Sequence, residues 1–209
     1  MFENYIKYLN KKLKKTLPGE KAQNKMAPTK HLSNIPIADN IINSAVLLLL
    51  YPHNNNIYTL LIQRPIYNGQ HSGQISFPGG KYEITDKNLT QTALRETYEE
   101  IGINPTEIEI IGNLSQLYTP VSNYKIYPFV GYLNKQPNFK INFEVEKILE
   151  INIISFSENN IHIIEKTSFD GYKFNTPVYK INNLDIWGAT AMILSEFSEI
   201  NNKIFTHHE

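Results

Sequence analysis

Residues 72–103, SGQISFPGGKYEITDKNLTQTALRETYEEIGI, limit what this chain can fold into more tightly than any other stretch. A turn at Gly79 and Gly80 leads into a helix-forming segment over about 88 to 102, which Gly102 ends. On a helix, Glu96, Glu99 and Glu100 fall within one arc while Leu94, Tyr98 and Ile101 point elsewhere, so an exposed acidic face opposes an apolar one. Like charges at these spacings repel by roughly 0.2–0.5 kcal/mol per pair. Arg95, four residues before Glu99, offsets part of this but cannot neutralise three carboxylates. Such a face is either simply solvated or holds a hard divalent cation, for which Mg2+ or Mn2+ with oxygen ligands is the fitting choice. The turn favours the cation. Two glycines let backbone approach a ligand or metal closely, and Lys81 follows them, ready for phosphate.

The 209 residues around this stretch suit one sizeable core. A formal net charge of +0 supplies no global field toward nucleic acid or an acidic membrane, so neither is an expected partner. Any anionic ligand must be held by local groups or metal ions. The absence of cysteine excludes disulfides, thiolate nucleophiles and cysteine-bearing zinc sites. MFENYIKYLNKKLKKTLPGE at the N-terminus has scattered charges and is not a signal peptide, and the apolar run AVLLLLY at 45–51 is too short to span a membrane. A cytoplasmic location is the expectation.

Phe2, Tyr5, Ile6, Leu9 and Leu13 recur at helical spacing before Pro18 and Gly19, which predicts an amphipathic helix over 2–16. It packs on the body or on a partner, a homodimer being one such arrangement. Residues 18–40 lack periodicity and read as an extended lead-in. Strand-like segments at 42–51 and 57–64 flank the turn PHNNN, and further strands are expected at 107–113, 125–133, 146–155, 161–167 and 172–181. A last helix is expected at 187–200. Strands outnumber helices and run mostly as meanders, so the expected fold is α/β, an α+β mixed sheet between helices, rather than a doubly wound parallel sheet. The domain plan is a helix and lead-in at 1–40, a body at 41–200 and a tail at 201–209.

From Gly80 onward the sequence resembles the Nudix box, G-x5-E-x7-R-E-U-x-E-E-x-G-U, with U a bulky aliphatic residue. Gly80 opens it, and Arg95, Glu96, Glu99, Glu100, Gly102 and Ile103 close it. Asp86 stands where the pattern has its first Glu, with the spacer to Arg95 one residue longer, and Thr97 replaces the aliphatic residue. Upstream, LLIQRPIYNGQHSGQISFPGG at 60–80 resembles the additional motif of the coenzyme A pyrophosphatase branch. Leu60, Leu61, Arg64, Gly73, Phe77, Pro78, Gly79 and Gly80 match it, while Ile62, Pro65 and Gly69 depart from it. Gly69 stands in place of an arginine expected to help hold a phosphate. Composition supports the match independently: the chain uses lysine almost everywhere a cation occurs, yet keeps arginine at 64 and 95, where the motifs place it.

This resemblance implies a Nudix α/β/α sandwich that hydrolyses the phosphoanhydride of coenzyme A or an acyl-coenzyme A, with Mg2+ or Mn2+, to 3′,5′-ADP and 4′-phosphopantetheine. Glu96, Glu100 and Glu99, with the carbonyl of Gly80, are the implied metal ligands. Glu96, Glu99, Glu100 and Arg95 form the catalytic set, Arg95 orienting the carboxylates. Arg64, Lys81, His71, Ser72 and Gly79 are expected to meet the substrate, with Arg64 on a phosphate. Tyr118, Thr119 and Tyr124 either line the pocket or pack; Glu144 is a candidate extra ligand or base; Trp187 and Gly188 read as architectural. The alternatives are a Nudix hydrolase for another nucleoside diphosphate derivative such as ADP-ribose, and a non-catalytic nucleotide-binding module, against which the intact RETYEE argues.

Overall fold

The apolar run at 45–51 lies inside β1 (Ile42–His53), the strand on which the rest of the fold is built. Its side chains alternate between two cores: Ala45, Leu47, Leu49 and Tyr51 enter one, Leu48 and Leu50 the other. Because both faces are covered, the strand reads as an unbroken apolar run and not as an alternation. In the computed structural model, which describes residues 2–28, 40–68, 72–167 and 171–205, β1 pairs in parallel with β7 (Tyr124–Tyr132). It pairs antiparallel with β2 (Asn56–Gln63) and β4 (Gly79–Lys81). β3 (Ile75–Ser76) and β8 (Lys147–Asn152) extend the sheet from β2, while β5 (Glu109–Asn113) and β6 (Leu117–Thr119) join β7. The turn between β1 and β2 is made by Asn54 and Asn55, both at positive φ, the chemistry a tight hairpin requires.

Helix α3 (Leu89–Ile101) covers one face of this mixed sheet through Ala93 and Ile101. The other face is covered by α1 (Phe2–Leu13) and α4 (Gly188–Phe205), with Leu9, Leu194 and Phe197 in a shared core. The result is the expected α/β/α sandwich. A second antiparallel sheet of β9 (Ile161–Thr167), β10 (Lys173–Ile181) and β11 (Leu184–Ile186) adds Tyr179, Ile181 and Ile186 to the α4 core. Among the described residues no helix is long and apolar enough to cross a membrane.

The N-terminal region departs from expectation. α1 ends at Leu13 and packs on the body, and the following segment is not extended: it forms α2 (Glu20–Gln23) and a 3-10 turn, Asn24–Met26, burying Ala22, Gln23 and Met26. Tertiary hydrogen bonds explain this. Glu196 of α4, fully buried, accepts from Gly19 N–H at 3.0 Å, Gln23 Nε2 at 3.0 Å and Ser115 Oγ at 2.6 Å, and Ser195 Oγ donates to the Ala22 carbonyl at 2.7 Å. The part of the expected lead-in at 29–39 lies outside the described residues. α4 runs past the predicted end at 200, because Asn201 and Ile204 remain buried and Tyr5 donates its hydroxyl to Asn201 Oδ1 at 2.8 Å. The strand expected over 146–155 stops at Asn152, whose side chain accepts from Ile154 N–H and caps a 3-10 turn.

Candidate active site

α3 begins where Asn88 accepts the Gln91 N–H at 2.9 Å, and it ends at Gly102, whose φ of 74° only glycine adopts freely. Its buried side is Thr92, Ala93, Thr97, Glu100 and Ile101. This corrects the expected apolar face, since Tyr98 is 54% exposed. It also corrects the expected exposed acidic face: Glu100 is 1% exposed, Glu96 is partly buried and only Glu99 lies outermost. The physical reason is that α3 rests on β4 as well as on β1, which turns the Glu100 arc toward the sheet. Thr97, in the place of an aliphatic residue, is buried with its hydroxyl donating to the Ala93 carbonyl at 2.7 Å.

The Gly-Gly turn permits this approach. Gly79 pairs with Val46, and Gly80 with Ala45. At Gly79, with φ 146°, a β-carbon would overlap the Ala45 carbonyl oxygen and come within 2.6 Å of Val46 Cα. At Gly80 it would overlap Glu96 Oε1 and lie 2.7 Å from Oε2. Gly79 N–H donates to Glu100 Oε2 at 2.9 Å. Glu100 Oε1 is buried with no hydrogen-bond partner, and Arg64 Nη2 stands 3.8 Å from it. Burial pushes the Glu100 carboxyl up to about 8, against the opposing pull of Gly79 N–H and Arg64. Burial raises Glu96 too, with Arg95 opposing.

Arg95 is the hub of a second network. It grips Asp86 with both arms, Nε to Oδ1 at 3.0 Å and Nη2 to Oδ2 at 3.1 Å, and its Nη1 reaches Glu96 Oε1 and Glu99 Oε2, each at 3.1 Å. Nη2 also donates to the Lys81 carbonyl at 3.0 Å. Asp86 is buried and accepts further from Glu83 N–H at 3.0 Å and Thr92 Oγ1 at 2.9 Å. The Arg95 hydrogen bonds hold its carboxyl down at about 2. Sequence reasoning gave Asp86 no role; the available signal was its place at the first carboxylate of the box.

The other candidates are spread around this centre. Lys81 is exposed, its Nζ 5.8 Å from the Tyr124 ring. Ser72 Oγ accepts Tyr67 N–H at 2.9 Å, within its own loop. His71 and Gly69 lie outside the described residues. Tyr118 donates to Asn123 Oδ1 at 3.0 Å, and Thr119 meets the Ser122 hydroxyl at 2.8 Å, both inside the hairpin between β6 and β7. Glu144 is exposed, and its charge raises the carboxyls of both Glu96 and Glu100. Trp187 packs on Phe174 with ring centroids 6.0 Å apart, and Gly188 opens α4.

Among the described residues no three carboxylate or imidazole groups are already drawn into a metal cluster. The donor set nonetheless fits a hard divalent cation. It offers a buried carboxylate oxygen on Glu100 that takes part in no hydrogen bond, a second raised carboxylate one turn away on Glu96, and the bare backbone of Gly80 beside it.

Residues 42–170 match the family model for the NUDIX domain, and the chain belongs to the Nudix family. It is 32% identical to "Uncharacterized Nudix hydrolase NudL" of Photorhabdus laumondii, over 78% of this chain and 87% of that protein. It is 29% identical to "Nudix hydrolase 3" of Caenorhabditis elegans, over 85% of each. The fold is similar to that of RenU, a Nudix hydrolase from M. smegmatis, with a TM-score of 0.55 at 13% identity, covering 78% of this chain and 86% of that one. It is also similar to a Nudix hydrolase from Nitrosomonas europaea, with a TM-score of 0.51 at 20% identity, over 82% and 74% of the two chains.

Proposed function

We propose that this Nudix protein hydrolyses the phosphoanhydride of coenzyme A or an acyl-coenzyme A, releasing 3′,5′-ADP and the corresponding 4′-phosphopantetheine. Water adds to one phosphorus, the bridging P–O bond breaks, and the bridging oxygen leaves with the other phosphate. Glu96 and Glu100, supported by Glu99 and the Gly80 carbonyl, would hold Mg2+ or Mn2+. A bound divalent ion supplies charge neutralisation at the diphosphate and a more acidic water. Arg95 fixes the rotamers of Glu96 and Glu99 from its seat on Asp86. Arg64 takes a substrate phosphate, with Lys81 at the entrance, and Glu144 or one of the three glutamates accepts the proton.

The observation that carries the reading is the position of Arg64. One of only two arginines, it stands 3.8 Å from Glu100 Oε1, an oxygen that takes part in no hydrogen bond, so the proposed phosphate-binding fork and the proposed metal-binding carboxylate share one place. The test is turnover of coenzyme A, an acyl-coenzyme A, ADP-ribose and NADH with Mg2+ and with Mn2+, each with and without chelator. Chelator-sensitive release of 3′,5′-ADP from the first two supports the reading. Turnover confined to ADP-ribose or NADH replaces the substrate, and tight nucleotide binding without any turnover replaces the enzyme with a binding module.

A further inference from the structure

The two arginines of the chain are held in opposite ways. Arg95 is locked: all five of its N–H donors are matched by five hydrogen bonds of 3.0–3.1 Å, to Asp86, Glu96, Glu99 and the Lys81 carbonyl. Arg64 is fixed at its root and loose at its head. Its backbone continues β2 beyond Gln63, which pairs with Lys147 on one side and Ile75 on the other. Its own N–H donates to the Gln74 carbonyl at 3.0 Å, and Gly73 N–H closes on the Pro65 carbonyl at 3.1 Å. The guanidinium meets no carboxylate at hydrogen-bond distance among the described residues. Glu100 Oε1, at 3.8 Å, is the one it approaches, and the Arg64 side chain is 31% exposed.

Glu100 cannot follow a movement of this head. Its Oε2 is tied to Gly79 N–H at 2.9 Å, and its side chain is buried, so Oε1 keeps its place. Burial, and then the charges of Glu96 and Glu144, oppose ionisation of Glu100, and Arg64 is the side-chain cation that favours it. A divalent ion on Oε1 reverses the sign of the Arg64 contact. The guanidinium would then face a doubly charged cation across the same oxygen, in buried surroundings that screen little, and attraction becomes repulsion.

We propose that Arg64 and the divalent ion are alternative partners of Glu100 Oε1, and that Arg64, once displaced from it, turns its fork to the substrate diphosphate. This rests on the metal-dependent hydrolase reading above and adds to it the coupling of its two binding events. The turn needs only the side chain, because the backbone at Arg64 is held on both sides. While the fork serves Glu100, a diphosphate finds it already engaged; once released, it offers two parallel N–H bonds to phosphate oxygens. Cation binding therefore raises diphosphate affinity by more than direct contact between ion and phosphate supplies, and by linkage the diphosphate raises cation affinity by the same factor. Arg95, with every donor already bonded, cannot play this part.

The experiment measures Mn2+ affinity, from the paramagnetic resonance signal of the free ion, in the wild type and in Arg64→Gln, Arg64→Met and Arg64→Lys, with melting temperature followed in parallel. The two neutral variants should bind Mn2+ about tenfold more tightly than the wild type, whereas Arg64→Lys, which keeps the charge, should stay near it. Calorimetry then compares ADP binding with saturating Mn2+ and with chelator. The factor by which Mn2+ tightens ADP binding should be about tenfold smaller in Arg64→Gln than in the wild type. Unchanged or weaker Mn2+ binding, in either neutral variant that melts as the wild type does, overturns the proposal and leaves the hydrolase reading standing. An equal coupling factor in Arg64→Gln and the wild type does the same. Mn2+ uptake by none of the four proteins removes the metal site, and with it both the reading and the proposal.

Discussion

The Glu96 carboxylate lies against the α-carbon of Gly80, so close that a β-carbon there would overlap it. Gly80→Ala would meet only the far end of a flexible side chain, so stability should change by less than about 1 kcal/mol while Glu96 is displaced and kcat falls about 100-fold. Gly79→Ala meets the backbone of Ala45 and Val46 at a positive φ and should cost about 3 kcal/mol or more. Chemical denaturation beside steady-state rates separates the two. Equal loss of stability in both variants would show that Gly80 serves the sheet and not the site.

Glu100 should release a proton when it becomes a ligand. With its carboxyl at about 8, it is protonated at pH 7 in the metal-free protein. Calorimetric titration with Mn2+ at pH 7, in buffers of different ionisation enthalpy, should show close to one proton released per cation and almost none at pH 9. The folded chain also keeps this proton where the unfolded chain has lost it, so metal-free stability falls as pH rises from 4.5 toward about 8. Glu100→Gln should flatten that slope, abolish the proton release and lower kcat by about 10²–10³-fold. Wild-type turnover in this variant would strip Glu100 of its role.

Asp86 has the opposite sign. Its carboxyl sits at about 2 instead of 3.8, so it contributes stability that is fully present above 3.8 and is lost as pH falls toward 2. Asp86→Asn should be less stable than the wild type at pH 7 by about 3 kcal/mol, since Arg95 loses its buried partner, and the two proteins should converge near pH 2. Acid-induced unfolding followed by circular dichroism measures this. A difference between them that persists unchanged to pH 2 would argue against the ion pair as its source.

Glu196 tests the architecture apart from the chemistry. Glu196→Leu leaves Gly19 N–H and Ser115 N–H without their acceptor, removes one of the two acceptors of Gln23 Nε2, and should cost about 3 kcal/mol in urea unfolding. The kcat per folded molecule should stay at the wild-type value, because this carboxylate lies on the α4 side of the sheet, away from α3. A fall in kcat without a fall in stability would tie this latch to the site.

The parts of the fold legible in the sequence are those with local causes. The helix α3, its cap at Gly102, the strand β1 and the Asn-rich hairpin all follow from spacing and turn chemistry. Which arc of α3 is buried was not legible, because it is decided by how closely Gly79 and Gly80 let β4 approach, a relation between two elements. For Asp86 only its place in the box was legible; its role was not, because its donors come from Glu83, Thr92 and Arg95, which meet only once the turn before α3 has closed. The helical turn at Glu20–Gln23 has no periodicity of its own and is held by Glu196, far away in the sequence. Strands of two or three residues, such as β3 and β6, are too short to show an alternation.

Tyr5 and Asn201, joined by one hydrogen bond, are 196 positions apart. The apolar stripe of α1 therefore precedes α4 in the chain by most of the body and completes its cover only once α4 has been made. Leu13 finds Gly112 of β5 and Phe2 finds Tyr132 of β7 first, but until α4 is made the cover of α1 is incomplete and part of its apolar stripe faces water. The lysines at 7, 11, 12, 14 and 15 that crowd the same region keep it charged through that wait.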